Sequence, residues 1–153
     1  MILFIKQSAL SWSDKFAIKD ESGEDRWIAQ GDVLSFAHFL RVYDLSGKER
    51  ATIKEKWTSF FPKHVVQAGF ESFEIVKEFS MFSQRYDISG IGWSVAGDFL
   101  AHDYTIEGEG QVIAHMTKEC LSWGDSYRLD IISQRDELPA LCVALAIDCT
   151  NHD

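Results

Sequence analysis

The sequence is poor in proline and cysteine, and it has no apolar run long enough to cross a membrane. Its 153 residues include two prolines and three cysteines, and the long apolar run 138–147 covers ten residues. A transmembrane helix needs about 20. The cysteines form no C-x-x-C pair, which favours reduced thiols in a cytoplasmic protein. We expect Cys142 and Cys149 to be buried as small hydrophobes, since they lie on one face of an apolar helical segment.

Basic residues are scarce in the second part of the chain. Residues 86–153 carry 3 Lys or Arg against 12 Asp or Glu, whereas residues 1–85 carry 12 of each. This charge excludes duplex nucleic acid as the expected partner, because such proteins present basic surfaces. It also disfavours nonspecific adhesion to anionic lipid, although a local basic patch can still bind one headgroup.

The remaining composition predicts one globular domain covering residues 1–153. Hydrophobic residues make up 46% of the chain and aromatic residues 13%, which is enough to fill a single core. The short apolar run 1–6 has no basic residues before it, so we interpret it as a first strand and not as a signal peptide.

A segment of eight residues recurs six times, with an aromatic or apolar second position, a polar middle and a mostly aromatic sixth position. The copies are 11–18, 35–42, 59–66, 81–88, 99–106 and 122–129. We expect the second-position aromatics to plug the ends of the fold and the strand interfaces: Trp12, Phe36, Phe60, Phe82 and Trp123.

Between the copies lie glycine turns and alternating extended runs, which together predict consecutive hairpins. The turns are 22–23, 46–47, 69, 89–90 and 108–110, where glycine supplies the positive φ of a hairpin. In the run 50–56, Ala51 and Ile53 alternate with polar residues. We count about 12 strands in this way.

The pattern ends in a helix that is apolar all round. Ser133 and Asp136 fit a capping box, and Pro139 fits only a first helical turn. The residues from 138 to 147 leave no polar face, so protein must surround this helix. Twelve antiparallel strands avoid open edges by closing, and a barrel that wide has a lumen to fill. The sequence therefore predicts a mainly β protein, a closed antiparallel barrel around a central C-terminal helix.

Several stretches resemble the LURP-one-related family, whose relatives are the tubby C-terminal domain and the phospholipid scramblases. They are residues 5–7, 12–16, 92–104, 122–130 and 145–149, and the resemblance covers essentially the whole chain. It implies the same barrel around a helix. Tubby domains bind phosphoinositide headgroups through basic side chains on the barrel surface, so the resemblance makes a headgroup an expected ligand. The cysteine cluster and terminal membrane segment of scramblases are absent from this sequence, which argues against scrambling.

Four basic residues alternate through one predicted strand and its turn, and they form the candidate binding site: Lys48, Arg50, Lys54 and Lys56. Lysines at this spacing can grip a phosphate as point charges. A solvated strand face with Glu49 and Glu55 nearby fits the same pattern. Ion pairs from Lys54 and Lys56 to these glutamates would favour the solvated face.

Other polar residues receive structural interpretations. His102 and Asp103, with Asp98 before them, fit hydrogen bonding at a strand corner better than acid–base catalysis. Asp14 and Asp125 occupy equivalent repeat positions, where Asp caps turns. We expect Asp148 to be partly buried and to bond strand-end amides where the helix leaves the barrel.

No catalytic set, metal-ligand spacing or phosphate loop can be assembled from the sequence. We therefore predict a protein that is not an enzyme, without cofactor or metal. The first hypothesis is a cytoplasmic binding module for a phospholipid headgroup or another anionic ligand. The alternative is a protein-interaction scaffold with no small-molecule ligand.

Overall fold

Twelve antiparallel strands form a closed barrel in the computed structural model, as predicted. The structure describes residues 1–32, 38–57, 62–79, 84–122 and 124–152. The strands are β1 (Ile2–Lys6), β2 (Lys15–Lys19), β3 (Asp25–Gly31), β4 (Phe39–Tyr43), β5 (Glu49–Trp57), β6 (Pro62–Ala68), β7 (Glu71–Phe79), β8 (Gln84–Ser89), β9 (Trp93–Asp98), β10 (Asp103–Gly108), β11 (Gln111–Leu121) and β12 (Gly124–Ile131). Each strand pairs with its sequence neighbours, and β1 closes the barrel by pairing with β12.

The helix α1 (Glu137–His152) fills the barrel. Its residues from Ala140 to Ile147 are at most 1% exposed, because every face of the helix meets the inner side of a strand. Inward residues of the strands, such as Ile53 and Val66, are fully buried against it. Burying an apolar side chain contributes about 1.5–3 kcal/mol, so helix and barrel stabilise each other.

The barrel has two ends, which we call lower and upper. The lower end is where the helix begins, and the turns 20–24, 44–48, 69–70, 90–92 and 109–110 lie there. Five of the six glycines predicted at these turns have positive φ, for example 84° at Gly23 and 87° at Gly47. The exception is Gly108, which belongs to β10. The upper end is where the helix finishes and where the repeated segments place the other connections.

Glu137 fixes the start of the helix to β3. Its carboxylate accepts hydrogen bonds from Arg26 Nη2 at 2.8 Å, from Arg26 Nε, and from Trp27 Nε1 at 2.9 Å. A short 3-10 turn, Gln134–Asp136, leads into the helix. The predicted capping box is wrong, because the Ser133 side chain makes no capping hydrogen bond. The ion pair at Glu137 holds the first helical turn instead.

The repeat marks the upper corners of the six hairpins, because each copy covers an upper connection and the beginning of an even-numbered strand. The sixth positions point inward and are at most 5% exposed: Phe16, Leu40, His64, Tyr86, Tyr104 and Tyr127. They form a ring around the end of the helix. Among the second-position aromatics, Trp12 is buried as expected, and Phe36, Phe60, Phe82 and Trp123 lie outside the described residues.

Candidate functional site

The four predicted basic residues lie along β5 and the turn before it. Ala51, Ile53 and Glu55 of this strand are buried, whereas Arg50, Lys54 and Lys56 are exposed. The alternation thus places these three cations on the outer surface, and Lys48 is exposed in the preceding turn. Because a strand advances about 3.3 Å per residue, Arg50 and Lys56 are separated by roughly 20 Å. The four cations therefore form a lower pair and an upper pair.

The lower pair is tied to the turn 44–48. Arg50 Nη1 lies 3.4 Å from Asp44 Oδ2, and the backbone N–H of Lys48 donates to Asp44 Oδ1 at 3.1 Å. The hydroxyl of Ser46 is the main group that lowers the pKa of Asp44, so the turn carries a fixed negative charge beside Arg50. A groove of about 440 Å³ also lies here, lined in part by Gln67 and Phe70.

The upper pair, Lys54 and Lys56, has no ion pair within 4.0 Å in the described ranges. The two glutamates that could have neutralised these lysines bind other groups. Glu49 accepts a hydrogen bond from Arg41 at 2.8 Å. Glu55 points into the barrel, where it is 6% exposed. A solvated face would have been favoured by ion pairs from Lys54 and Lys56 to Glu49 and Glu55. The described residues do not form these ion pairs.

A third lysine and a tryptophan extend the upper pair. Lys63 of β6 is the register partner of Lys56, and Trp57 is the partner of Pro62. Lys63 Nζ lies 3.1 Å from Glu74 Oε2, and this ion pair offsets its charge, so Lys54 and Lys56 supply the uncompensated positive charge of this corner. Like charges opposite each other destabilise an antiparallel pair. Trp57 is 71% exposed, which is unusual for so large an apolar side chain. We call Lys54, Lys56, Trp57 and Lys63 the upper basic corner.

Behind this corner, the buried Glu55 lies between the exposed His38 and the buried His64 at the upper end of the barrel. Its carboxylate is 3.1 Å from His38 Nδ1 and 3.7 Å from His64 Nε2. Both imidazoles stack against the indole of Trp12, with centroid distances of 4.9 Å and 5.6 Å. Burial, with a smaller contribution from the charge of His38, lowers the pKa of His64 to about 4. His64 is therefore neutral at pH 7, and Glu55 turns inward to contact it.

The end of the helix meets a second buried polar group. Asp148 is fully buried, and its carboxylate binds His102 Nδ1 at 2.8 Å and accepts from the Tyr104 hydroxyl at 2.9 Å. The imidazole of His102 stacks on Tyr127. The sequence underestimated the burial of Asp148, whose partners among the described contacts include the side chains of His102 and Tyr104. Nearby, Asp98 Oδ1 accepts from the backbone of Ala101 at 3.1 Å, which is the structural role expected at this corner.

The turn-capping aspartates are not the ones predicted. Among the hydrogen bonds of the described residues, Asp14 accepts from Gly31 through its backbone oxygen, and Asp125 lies 3.8 Å from Lys118. Asp20 and Asp44 cap turns instead. Asp20 Oδ1 accepts from the backbone of Ser22 at 2.9 Å and of Glu24 at 3.1 Å. The shared pattern Asp-x-Ser-Gly at 20–23 and 44–47 is a sequence signal that could have identified both turns.

The polar clusters do not form a metal site in the ranges that the structure describes, since no three His, Cys, Asp or Glu side chains there are arranged to hold an ion. None of the three cysteines forms a disulfide within those ranges, and Cys142 and Cys149 are buried as predicted. No helix within those ranges is long and apolar enough to cross a membrane.

Comparison with known proteins agrees with this architecture. The profile of the LURP-one-related family matches residues 1–148. The chain belongs to the LURP-one-related family. A relative is the uncharacterized protein YxjI of Bacillus subtilis (strain 168), which is 30% identical over 147 residues, 95% of this chain and 91% of that protein.

The fold of this LURP-one-related chain also occurs in a solved structure. A protein from Arabidopsis thaliana, determined by X-ray crystallography, superimposes with a TM-score of 0.62 at 14% identity over 95% of this chain and 90% of that one. This likeness concerns the fold, which does not fix function. What the LURP-one-related barrel binds must therefore be argued from the side chains of this chain.

Proposed function

We propose that the protein is a non-enzymatic, cytoplasmic binding module that docks phospholipid headgroups or another anionic group on the outer face of β5. The residues that contact the ligand are Lys48, Arg50, Lys54 and Lys56. Docking is electrostatic and involves no covalent step, so its strength falls as salt screens the charges.

This proposal rests on the observation that Lys54 and Lys56 form no ion pair with the described residues. Both side chains are exposed. Of the nearby glutamates, Glu49 is engaged by Arg41, and Glu55 by His38 and His64. An ammonium group without a protein partner can bind a phosphate without first breaking an ion pair. Arg50 contributes less in this proposal, because its guanidinium is 3.4 Å from the Asp44 carboxylate. Lys48 lies in the same turn as that carboxylate, which accepts from its backbone N–H.

The placement of the acid–base groups supports a non-enzymatic role. Glu137, Glu55 and Asp148 are each at most 6% exposed, and each joins elements of the fold. Groups buried in this way hold helix and strands in register and are poorly placed to meet a substrate.

Liposome co-sedimentation tests the proposal. Vesicles of phosphatidylcholine alone, with phosphatidylserine and with a phosphoinositide are compared at low and at physiological salt. We expect salt-sensitive binding to the anionic vesicles, and we expect K54A/K56A to lose most of it. The variant K48A/R50A is the matched control, since it removes two cations of the same strand face and should have the smaller effect. Equal binding by wild type and K54A/K56A would contradict the proposal.

The second candidate function is a protein-interaction scaffold without a small ligand. It is favoured by apolar side chains exposed at the lower end, where Leu45 is 63%, Ile132 71% and Phe70 fully exposed. Exposed apolar groups gathered in one region are typical of partner surfaces. The same sedimentation experiment separates the two functions. If the wild type binds no vesicle, the scaffold is favoured, and loss of a partner in F70S/I132S would support it.

A further inference from the structure

The upper basic corner combines exposed cations with an exposed aromatic side chain at the rim of the barrel. Lys54 and Lys56 lie on the outer face of β5, Lys63 lies opposite Lys56 on β6, and Trp57 follows at the end of β5. Trp57 is 71% exposed, in contrast to Trp12 at 5% and Trp27 at 7%. The core therefore gives no reason for an indole at position 57.

The chemistry of this corner matches the interface of a lipid bilayer. Indoles favour the headgroup level of a bilayer, because the apolar part of the ring leaves water there while its N–H remains hydrogen-bonded. Lysines beside it bind anionic headgroups with about a fivefold gain in affinity for each cation near the surface. A soluble anionic ligand would use the lysines but would have no need of Trp57.

The lower end is more acidic. Its turn 20–24 carries Asp20, Glu21 and Glu24 without a cation, the turn 44–48 holds Asp44 together with Lys48, and the turn 109–110 holds Glu109. Asp20 and Asp44 have lowered pKa values, chiefly because Ser22 and Ser46 donate hydrogen bonds to them, so both are charged at neutral pH. An anionic surface repels this end and attracts the upper basic corner. The charge distribution thus orients the barrel before contact.

We infer that the protein docks on anionic bilayers by its upper basic corner, with Trp57 inserted at the headgroup level and the lower end turned away from the membrane. This inference rests on the proposed function and adds to it the partner, the contact residues and the orientation.

Two matched variant pairs test the orientation on phosphatidylcholine vesicles with and without phosphatidylserine. W57S removes the aromatic group of the upper corner, and F70S removes a fully exposed aromatic group of the lower end. K54Q/K56Q and K48Q/R50Q form the second pair. We expect about a tenfold loss of affinity in W57S, about a 25-fold loss in K54Q/K56Q, a smaller loss in K48Q/R50Q, and little change in F70S. Circular dichroism confirms that each variant is folded.

Quenching by brominated phosphatidylcholine gives an independent measurement of insertion. The fluorescence of the wild type should fall on brominated anionic vesicles, and most of that quenching should be missing in W57F. One outcome separates headgroup docking from insertion. If K54Q/K56Q loses binding, W57S binds as the wild type does, and the fluorescence of W57F is quenched as much as that of the wild type, headgroup docking stands and the inserted orientation is wrong. If F70S weakens binding more than W57S, the orientation is reversed and the inference fails. If the wild type binds no anionic vesicle, the inference and lipid docking both fail.

Discussion

The carboxylate of Asp148 accepts a hydrogen bond from the hydroxyl of Tyr104, 2.9 Å away, where neither side chain exceeds 1% exposure. Asp148 lies near the end of the helix and Tyr104 in β10. Burial, followed by the charge of Asp148, raises the pKa of Tyr104 well above its ordinary value, so its hydroxyl remains a donor at every physiological pH. The contact joins the helix to the wall of the barrel.

Removal of this carboxylate should destabilise the protein strongly. In D148A, Tyr104 and His102 are left buried without their acceptor, so we expect the free energy of unfolding to fall by about 3 kcal/mol. In the control Y104F, one hydrogen bond is lost and Asp148 keeps His102, so the expected loss is about 1 kcal/mol. Urea denaturation followed by circular dichroism measures both. A smaller loss in D148A than in Y104F would show that the carboxylate is not the anchor of the helix.

Much of the fold follows from local patterns in the sequence, since periodicity depends on neighbouring residues alone. The alternation at Ala51 and Ile53 predicted which face of β5 points inward. The apolar residues from 138 to 147 predicted a helix enclosed by protein. The inward turn of Glu55 could not be read in this way. Its partners His38 and His64 are brought to it by strand pairing, and a glutamate between two lysines is usually exposed.

The site was predicted less completely for the same reason. The sequence identified the cations at 48, 50, 54 and 56, but which of them are held in ion pairs depends on where Asp44 and Arg41 point. Trp57 carried no signal in the repeat, and only its 71% exposure distinguishes it from a core residue. By contrast, the turn caps Asp20 and Asp44 share a local pattern, so they could have been found.

The close packing of the 7–14 connection on β3 predicts that Gly31 cannot be replaced. A Cβ at Gly31 would lie 1.8 Å from the carbonyl oxygen of Trp12, so the connection would have to move and Trp12 would lose its stacking on His38 and His64. We expect G31A to lower the free energy of unfolding by about 2 kcal/mol or more. Thermal unfolding measures the loss, and Q30A is the control because Gln30 is exposed on the same strand. Equal midpoints for the two variants would contradict this packing.

The buried imidazole of His64 should make the protein sensitive to acid. Its pKa is about 4 in the folded protein, because it is buried and lies near His38, whereas an unfolded histidine titrates near 6.5. Between these values the unfolded chain binds the proton and the folded protein does not. Stability is therefore fully present above about pH 6.5 and falls as the pH drops toward about 4, where the loss approaches roughly 3 kcal/mol. Protonation also adds a charge beside His38.

The variant H64Q separates this effect from the other titrating groups, because glutamine occupies the site without a proton equilibrium in this range. Urea denaturation is measured for both proteins at several pH values between 4 and 7.5. H64Q is expected to be less stable than the wild type at pH 7, since it perturbs the contacts with Glu55 and Thr150. The difference should shrink or reverse as the pH falls, because only the wild type loses stability when its unfolded chain binds a proton that the folded protein excludes. A difference that stays constant across this range would show that the protonation of His64 is not linked to folding.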